Sequence, residues 1–294
     1  MISSLRELVS GGPVLTDGAL GTWLQAHGLE IGVCPDAWNL VQAQLVEQLA
    51  RAYVEAGSRI ILTNTFRANG LSLARHGLAE KAAQINQAGV TIARRAAAGR
   101  AYVFGSVGPT GRLLLTGETS EAEVKTAYRE QAKTLAEAGV DAFVMETMSD
   151  LQEATLAVAA ARETHLPVVA CMTFDSGKHQ DRTMMGATPE QVAKELTAAG
   201  ADAVGANCGQ GIAGYVSICA RLHAATDRPI WIKPNAGMPE MVEGRAVYKT
   251  TPEEFAAYAP ALLEAGVSFL GGCCGTGPEF IRALARALPK LGSA

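Results

Sequence analysis

The chain has 294 residues, of which 48% are hydrophobic and 18% are charged, and its formal net charge is −4 at pH 7. That apolar content is sufficient for a full hydrophobic core, and the lack of a strong basic block argues against nucleic acid and anionic membranes as partners. No apolar run reaches the roughly 18 residues of a membrane span, and the N-terminus lacks the apolar stretch of a signal peptide. We therefore expect a cytoplasmic protein.

Short apolar runs recur along the chain, and the segments between them have the 3.6-residue periodicity of amphipathic helices. The eight runs begin at Pro13, Arg59, Ala101, Asp141, Pro167, Asp202, Pro229 and Ser268. Four helical segments end in EAG or AAG directly before a run, where glycine can terminate a helix in the left-handed conformation. This alternation predicts a parallel sheet closed into a single (β/α)8 TIM barrel.

Two further features support one barrel over other organisations. No G-x-G-x-x-G motif follows any run, which disfavours the alternative of an open, doubly wound sheet. No Pro-, Ser- or Gly-rich linker divides the sequence. We therefore predict one domain over residues 1–294.

In a TIM barrel the active site lies at the carboxyl ends of the strands. The ends of the eight runs carry, in chain order, Asp17, Asn64 with Thr65, Ser106, Glu146 with Thr147, Thr173 with Asp175, Asn207 with Cys208, Lys233 with Asn235, and Cys273 with Cys274. The chemistry of the site should come from these side chains.

Three of the six cysteines are predicted to converge. The sixth and eighth strands flank the seventh, so Cys208 can approach Cys273 and Cys274 across the barrel mouth. Three thiols at one point are typical of a tetrahedral zinc site with one open position. The glycines of "GGCCGT" allow the backbone to leave the extended pleat, so that adjacent cysteines can face one ion. The alternative is that all three cysteines are buried apolar residues.

The other three cysteines are interpreted differently. Cys171 lies within the fifth run and is predicted to be in the core, and Cys219 is predicted to be on the buried face of a helix. Cys34 lies in the first loop and is interpreted as incidental to the site.

With these residues in place, the sequence resembles the homocysteine S-methyltransferase family. The shared motifs are "TDGALGT", "TNTF", "GSVGPTG", "MET", "NCG" and "GGCCGT", which occur in order over nearly the whole chain. The segments "GPTG", "GATPE" and "KPNAGMPE" are most similar to the homocysteine-binding module of cobalamin-dependent methionine synthase. The resemblance implies a (β/α)8 barrel, a zinc ion and the zinc ligands Cys208, Cys273 and Cys274.

The resemblance also implies a substrate and a way to activate it. Coordination to Zn²⁺ deprotonates a thiol, so homocysteine would react as a zinc-bound thiolate. Asp17 and Glu146 are the candidates for binding its ammonium group, and Ser106 with the backbone amides of "GSVGPTG" for binding its carboxylate. Asn235 could supply an oxygen to zinc when substrate is absent, or could be a structural amide of its loop.

The methyl donor is less well defined by the sequence. A methylated corrinoid such as methylcobalamin is the expected donor. Because this chain has no D-x-H-x-x-G corrinoid signature and no second barrel for methyltetrahydrofolate, a separate protein would have to carry it. Partners would then be a corrinoid protein and a methyltetrahydrofolate-binding methyltransferase. S-methylmethionine, betaine and other small methylated compounds are the alternative donors.

Two alternative functions remain. Lys233, at a strand end in the mouth, could form a Schiff base in a class I aldolase or lyase, although this leaves the three cysteines unexplained. The chain could also be a non-catalytic, zinc-stabilised thiol-binding subunit.

Overall fold

The structure is a computed structural model that describes residues 4–242 and 245–289. The strands within these ranges are β1 (Val14–Leu15), β2 (Ile60–Leu62), β3 (Tyr102–Val107), β4 (Ala142–Met148), β5 (Val168–Met172), β6 (Ala203–Gly211), β7 (Ile230–Asn235), β8 (Glu240–Val242), β9 (Arg245–Val247) and β10 (Val267–Leu270).

The helices of the same ranges alternate with the strands. They are α1 (Leu5–Leu8), α2 (Gly21–Ala26), α3 (Trp38–Val41), α4 (Ala43–Ala56), α5 (Gly70–Ala74), α6 (Ala82–Ala97), α7 (Glu121–Ala138), α8 (Leu151–Arg162), α9 (Pro189–Ala198), α10 (Ile212–Ala225), α11 (Pro252–Ala256), α12 (Ala259–Glu264) and α13 (Pro278–Ala287). None of the described helices has the length and apolarity needed to cross a membrane.

Eight strands form one parallel sheet in the order β1-β10-β7-β6-β5-β4-β3-β2. The two end strands meet without a regular ladder, through a bond from the Arg59 amide to the Leu15 carbonyl of 2.9 Å. A second link joins them, because the Leu62 amide donates to the Asp17 carboxylate at 2.7 Å. The sheet is thus a nearly closed barrel, and the predicted (β/α)8 architecture is confirmed.

The predicted helix terminators are also present. Gly57, Gly139, Gly200 and Gly266 have φ values of 115°, 97°, 98° and 90°, in the left-handed region that side chains disfavour. Each glycine turns the chain from a helix into the next strand of the barrel. The four near-repeats therefore mark four equivalent junctions of the fold.

The core has two layers, as expected for this fold. Side chains inside the barrel form one buried cluster, in which Trp231 lies 6.0 Å from Phe104 and 5.2 Å from Phe269 between ring centroids. Leu5 of α1 belongs to the same cluster. A larger cluster fills the space between the strands and the surrounding helices.

One element was absent from the sequence prediction. Strands β8 and β9 form an antiparallel hairpin in the loop after β7, and their described side chains are exposed. Because both strands have only three residues and their described side chains are all exposed, they carry little of the apolar periodicity that identified the barrel strands.

The close contact between β6 and β7 predicts a position that is sensitive to substitution. A Cβ atom at Gly205 would lie 2.0 Å from the Trp231 carbonyl oxygen. We expect Gly205→Ala to lower the free energy of unfolding, measured by urea denaturation, by about 1–3 kcal/mol or more because the backbones must separate.

Gly21→Ala is the matched control, since no atom lies within 4 Å of the Cβ position there. Gly21 opens helix α2, where alanine is tolerated. Equal stability of the two variants would contradict the assignment of Gly205 to a close backbone contact.

Candidate functional site

The three predicted cysteines meet at the carboxyl end of the barrel. Cys208 lies in β6, while Cys273 and Cys274 follow β10, and their Sγ atoms all lie within 4.8 Å of one another. The Sγ atoms of Cys208 and Cys274 are 3.9 Å apart. Ligand sulfurs of a tetrahedral zinc ion are separated by about 3.8 Å, given Zn–S bonds of about 2.3 Å. The donor set therefore fits a metal ion of this kind.

Cys208 reaches the cluster because β6 changes direction at this residue. Its φ is 62°, and the pairing of β6 with β7 shifts register between Cys208 and Gly211. Left-handed backbone at a non-glycine residue is unfavourable, so the surrounding contacts must stabilise it. One such contact is the Tyr215 hydroxyl, which donates to the Cys208 carbonyl at 2.7 Å.

The two adjacent cysteines are fixed by backbone bonds to the end of β7. The Cys273 amide donates to the Pro234 carbonyl at 2.7 Å, and the Cys274 amide donates to Asn235 Oδ1 at 3.0 Å. Asn235 Nδ2 donates to the Gly209 carbonyl at 3.3 Å. Asn235 therefore joins both cysteine-bearing segments as a structural amide, and its role as a zinc ligand stays a prediction.

The glycines of "GGCCGT" allow the two adjacent cysteines to reach this position in two different ways. A Cβ at Gly271 would lie 2.0 Å from Thr16 Oγ1, and one at Gly272 would lie 2.2 Å from Thr276 Oγ1. Gly275 has a φ of 80°. The motif thus combines close packing with a turn that only glycine adopts without strain.

Hydrogen bonding shifts the pKa values of the three thiols in different directions. Bonds from the Cys273 and Cys274 side chains lower the pKa of Cys208, and the same interactions raise the pKa of Cys273. A thiolate is the form of cysteine that binds metal ions.

Glu146, at the end of β4, is buried beside the cysteines, because Asn207 contacts both Glu146 and Cys273. Its Oε1 accepts a bond of 2.5 Å from the Ser106 hydroxyl, and its Oε2 accepts one of 3.3 Å from Asn207 Nδ2. Burial raises the pKa of Glu146, while Lys233 and Ser106 oppose that effect. Because the Ser106 proton points to Glu146, Ser106 orients this carboxylate, and its contact with the substrate carboxylate stays a prediction.

Asp17 and Lys233 form a buried ion pair at the same end of the barrel. Lys233 Nζ donates to Asp17 Oδ1, and the two side chains are 3% and 1% exposed. Burial alone would lower the pKa of Lys233, but the carboxylates of Asp17 and Glu146 outweigh it and raise that pKa. A Schiff-base lysine must act as a neutral amine, so this geometry disfavours the lyase alternative.

Two residues of the site were not assigned a role from the sequence. Asn207 Nδ2 lies 3.9 Å from Cys273 Sγ, besides its contact with Glu146. The ring of Tyr248, directly after the β8–β9 hairpin, lies over Gly275, where a Cβ atom would be 2.2 Å from a ring carbon. The position of Asn207 beside Cys208 was a usable signal, but Tyr248 lies in a loop without a recognisable pattern.

The remaining cysteines are separate from the cluster. Cys171 and Cys219 are fully buried, in the barrel interior and on α10, as predicted. Cys34 is buried as well, and its thiol donates to Asp36 Oδ2 at 3.5 Å. None of the three contributes to the group of possible metal ligands.

Comparison with known proteins agrees with this geometry. The family model described as homocysteine S-methyltransferase matches residues 14–288. The chain belongs to the homocysteine S-methyltransferase family. The predicted resemblance and the predicted class of enzyme, a methyltransferase, are thereby confirmed.

Individual relatives and solved structures are also similar to this chain. The chain is 33% identical to methionine synthase of Mycobacterium tuberculosis and 32% identical to that of Mycobacterium leprae, in each case over 98% of this chain. It spans only about a quarter of their length, 26% and 25%. Among solved structures, the metallated form of the homocysteine methyltransferase MmuM from Escherichia coli has a TM-score of 0.80 and 25% identity, with 97% and 99% of the two chains covered.

Proposed function

We propose that this chain is a zinc-dependent S-methyltransferase that methylates homocysteine to methionine. The observation that carries the proposal is a three-cysteine cluster beside the buried carboxylates of Glu146 and Asp17, at the end of a barrel where such enzymes bind substrate. A metallated form of the related methyltransferase MmuM from Escherichia coli supports a bound metal ion. Three free thiols also require reducing conditions, which fits a cytoplasmic location.

Cys208, Cys273 and Cys274 would hold the zinc ion. When bound, zinc supplies deprotonation and retention of the substrate thiol, which makes its sulfur nucleophilic at neutral pH. The half-buried position of the cysteines limits access of water to that sulfur. Asn235 would order the two cysteine segments, and it is also the candidate oxygen ligand when substrate is absent.

The pocket below the cluster would bind the amino-acid end of homocysteine. Glu146 and Asp17 carry two negative charges, of which Lys233 compensates one, so one negative charge remains for the substrate ammonium. The backbone amides of "GSVGPTG", next to Ser106, would bind the carboxylate, since turns of this kind bind anions elsewhere. Methyl transfer is then an in-line displacement from a donor above the mouth.

A methylated corrinoid, such as methylcobalamin on a partner protein, is the donor we propose. Four exposed methionines occupy the loops after β5 and β7, namely Met184, Met185, Met238 and Met241. Exposed, adaptable methionine side chains are typical of surfaces that bind protein partners. A methyltetrahydrofolate-binding methyltransferase would reload the corrinoid, and S-methylmethionine or betaine is the alternative donor.

A donor screen tests the function directly. Homocysteine is incubated with the protein and with methylcobalamin, a methylated corrinoid protein, S-methylmethionine or betaine, and methionine is measured by mass spectrometry. We expect turnover with the corrinoid donors, its loss after chelation, and recovery on adding zinc. Turnover with S-methylmethionine alone would select the alternative donor, while no turnover with any donor would favour the non-catalytic subunit.

Metal content tests the cysteine ligands. We expect Cys208→Ser, Cys273→Ser and Cys274→Ser each to lose stoichiometric zinc and methyl transfer together, because each removes one of three thiolates. Zinc is measured by inductively coupled plasma mass spectrometry. Cys219→Ala, in the core away from the cluster, should keep its zinc. Full zinc content in any of the three serine variants would remove that residue from the ligand set.

Substrate kinetics test the acidic pocket. We expect Glu146→Gln to raise the KM for homocysteine by about 10- to 100-fold, because a charged hydrogen bond to the ammonium contributes about 1.5–3 kcal/mol. Zinc content should not change. The control substrate is 4-mercaptobutanoate, which lacks the amino group, and its KM should be the same in both proteins. An unchanged KM for homocysteine would exclude this role of Glu146.

A further inference from the structure

The two threonines of "TNTF" lie directly after β2 and have no role in the function proposed above. Thr63 and Thr65 are both fully buried, and their hydroxyl oxygens are 2.6 Å apart. Buried hydroxyl groups are stable only when they are hydrogen-bonded, so their other partners show what this pair of side chains holds in place.

The backbone of Ser106, in β3, lies between the two hydroxyl groups. The Ser106 amide donates to Thr63 Oγ1 at 3.0 Å, and Thr65 Oγ1 donates to the Ser106 carbonyl at 2.8 Å. A hydroxyl group has only one proton to donate. Because Thr65 donates its proton to the carbonyl, Thr63 must be the donor in the bond between the two hydroxyls. The bonds therefore form a ring with one direction, from the Ser106 amide through both threonines to the Ser106 carbonyl.

The segment that carries the threonines is itself anchored by buried side-chain amides. Asn39 Nδ2, on α3, donates to the Asn64 carbonyl at 2.7 Å. Gln131 Nε2, on α7, donates to the Thr65 carbonyl at 2.8 Å. The hydroxyl pair thus connects Ser106 to two of the surrounding helices.

The side chain of Ser106 connects this ring of hydrogen bonds to Glu146. Its hydroxyl donates to Glu146 Oε1 at 2.5 Å, and both side chains are buried. A serine side chain takes staggered positions relative to its own backbone, so a shift of the Ser106 backbone would move the hydroxyl away from Glu146. The orientation of the carboxylate therefore depends on how firmly the Ser106 backbone is held.

We propose that Thr63 and Thr65 are positioning residues, which act through Ser106 to orient Glu146 toward the ammonium group of the substrate. The inference rests on the proposed function in that Glu146 binds this ammonium group. The effect of the two hydroxyls should be confined to ligands that carry an amino group. A general loss of structure, in contrast, would weaken the binding of every ligand.

The test measures ligand binding to the zinc-loaded protein by isothermal titration calorimetry, without a methyl donor. We expect Thr63→Val to raise the dissociation constant of homocysteine by about three- to tenfold, the effect of one lost hydrogen bond. The dissociation constant of 4-mercaptobutanoate, which lacks the amino group, should not change. Thr63→Ser should bind homocysteine like the parent protein, because it keeps the hydroxyl.

Thr16→Val is the matched control. Thr16 is also fully buried at this end of the barrel, but its hydroxyl has no hydrogen-bond partner among the described residues. Its replacement should leave the binding of both ligands unchanged. Unchanged homocysteine binding in Thr63→Val, or equal weakening of both ligands, would overturn the proposal.

A double substitution tests the route through Ser106. Ser106→Ala should weaken homocysteine binding by a similar factor, and Thr63→Val should add nothing in the Ser106→Ala background. A full further loss in the double variant would contradict a role that acts through Ser106. If Thr63→Val does not fold, Thr65→Val replaces it in every comparison, because an unpaired buried carbonyl is tolerated better than an unpaired buried amide.

The ring of hydrogen bonds can also be tested without any ligand. Hydrogen exchange of the Ser106 amide, measured by nuclear magnetic resonance, should be faster in Thr63→Val than in the parent protein, because the amide loses its acceptor. Equal exchange in both proteins would overturn the proposal. Failure of the parent protein to bind homocysteine would contradict the proposed function instead, and the exchange measurement would still decide whether the hydroxyls hold Ser106.

Discussion

Two neighbouring side chains can face one ion only if the backbone between them leaves the extended conformation, and much of the site follows from this constraint. Cys273 and Cys274 come after the last residue of β10, where their amides bond to Pro234 and Asn235 at the end of β7. Strand β7 lies between β6 and β10, so it also positions Cys208 from the opposite side. The central strand therefore contributes no thiol, yet it sets the geometry of all three.

The second constraint is electrostatic. Two carboxylates and three thiols lie close together at the carboxyl end of the barrel. Among the described residues, Lys233 is the buried cation beside them. Charges that are removed from water must be compensated by partners or hydrogen bonds. The pair of Lys233 with Asp17 satisfies this condition for Asp17, and it leaves Glu146 with neutral donors. In the proposed function, this balance of charge favours a substrate that brings its own positive charge.

Apolar periodicity and glycine positions were sufficient to predict the eight barrel strands, because both depend on local backbone preferences. The convergence of the cysteines was also predictable, since parallel strands end at the same edge of a barrel. The hydrogen-bond and ion-pair partners of the site side chains were not predictable from the sequence. Ser106 contacts Glu146, and Lys233 contacts Asp17, through rotamers that depend on residues far apart in sequence. Tyr248 follows a short hairpin whose described side chains are exposed, so its contact with Gly275 left no pattern in the sequence.

Asn207 connects the two halves of the site. Its Nδ2 atom lies 3.3 Å from Glu146 Oε2 and 3.9 Å from Cys273 Sγ, and its Oδ1 accepts a bond from the Thr147 amide at 2.7 Å. One buried amide thus fixes the acidic pocket of β4 relative to the cysteines of β6 and β10. When both ends of a substrate are bound at fixed positions, the length of the chain between them becomes the basis of selection. In the proposed function, the distance between Glu146 and the cluster would therefore distinguish homocysteine from thiols with a shorter carbon chain.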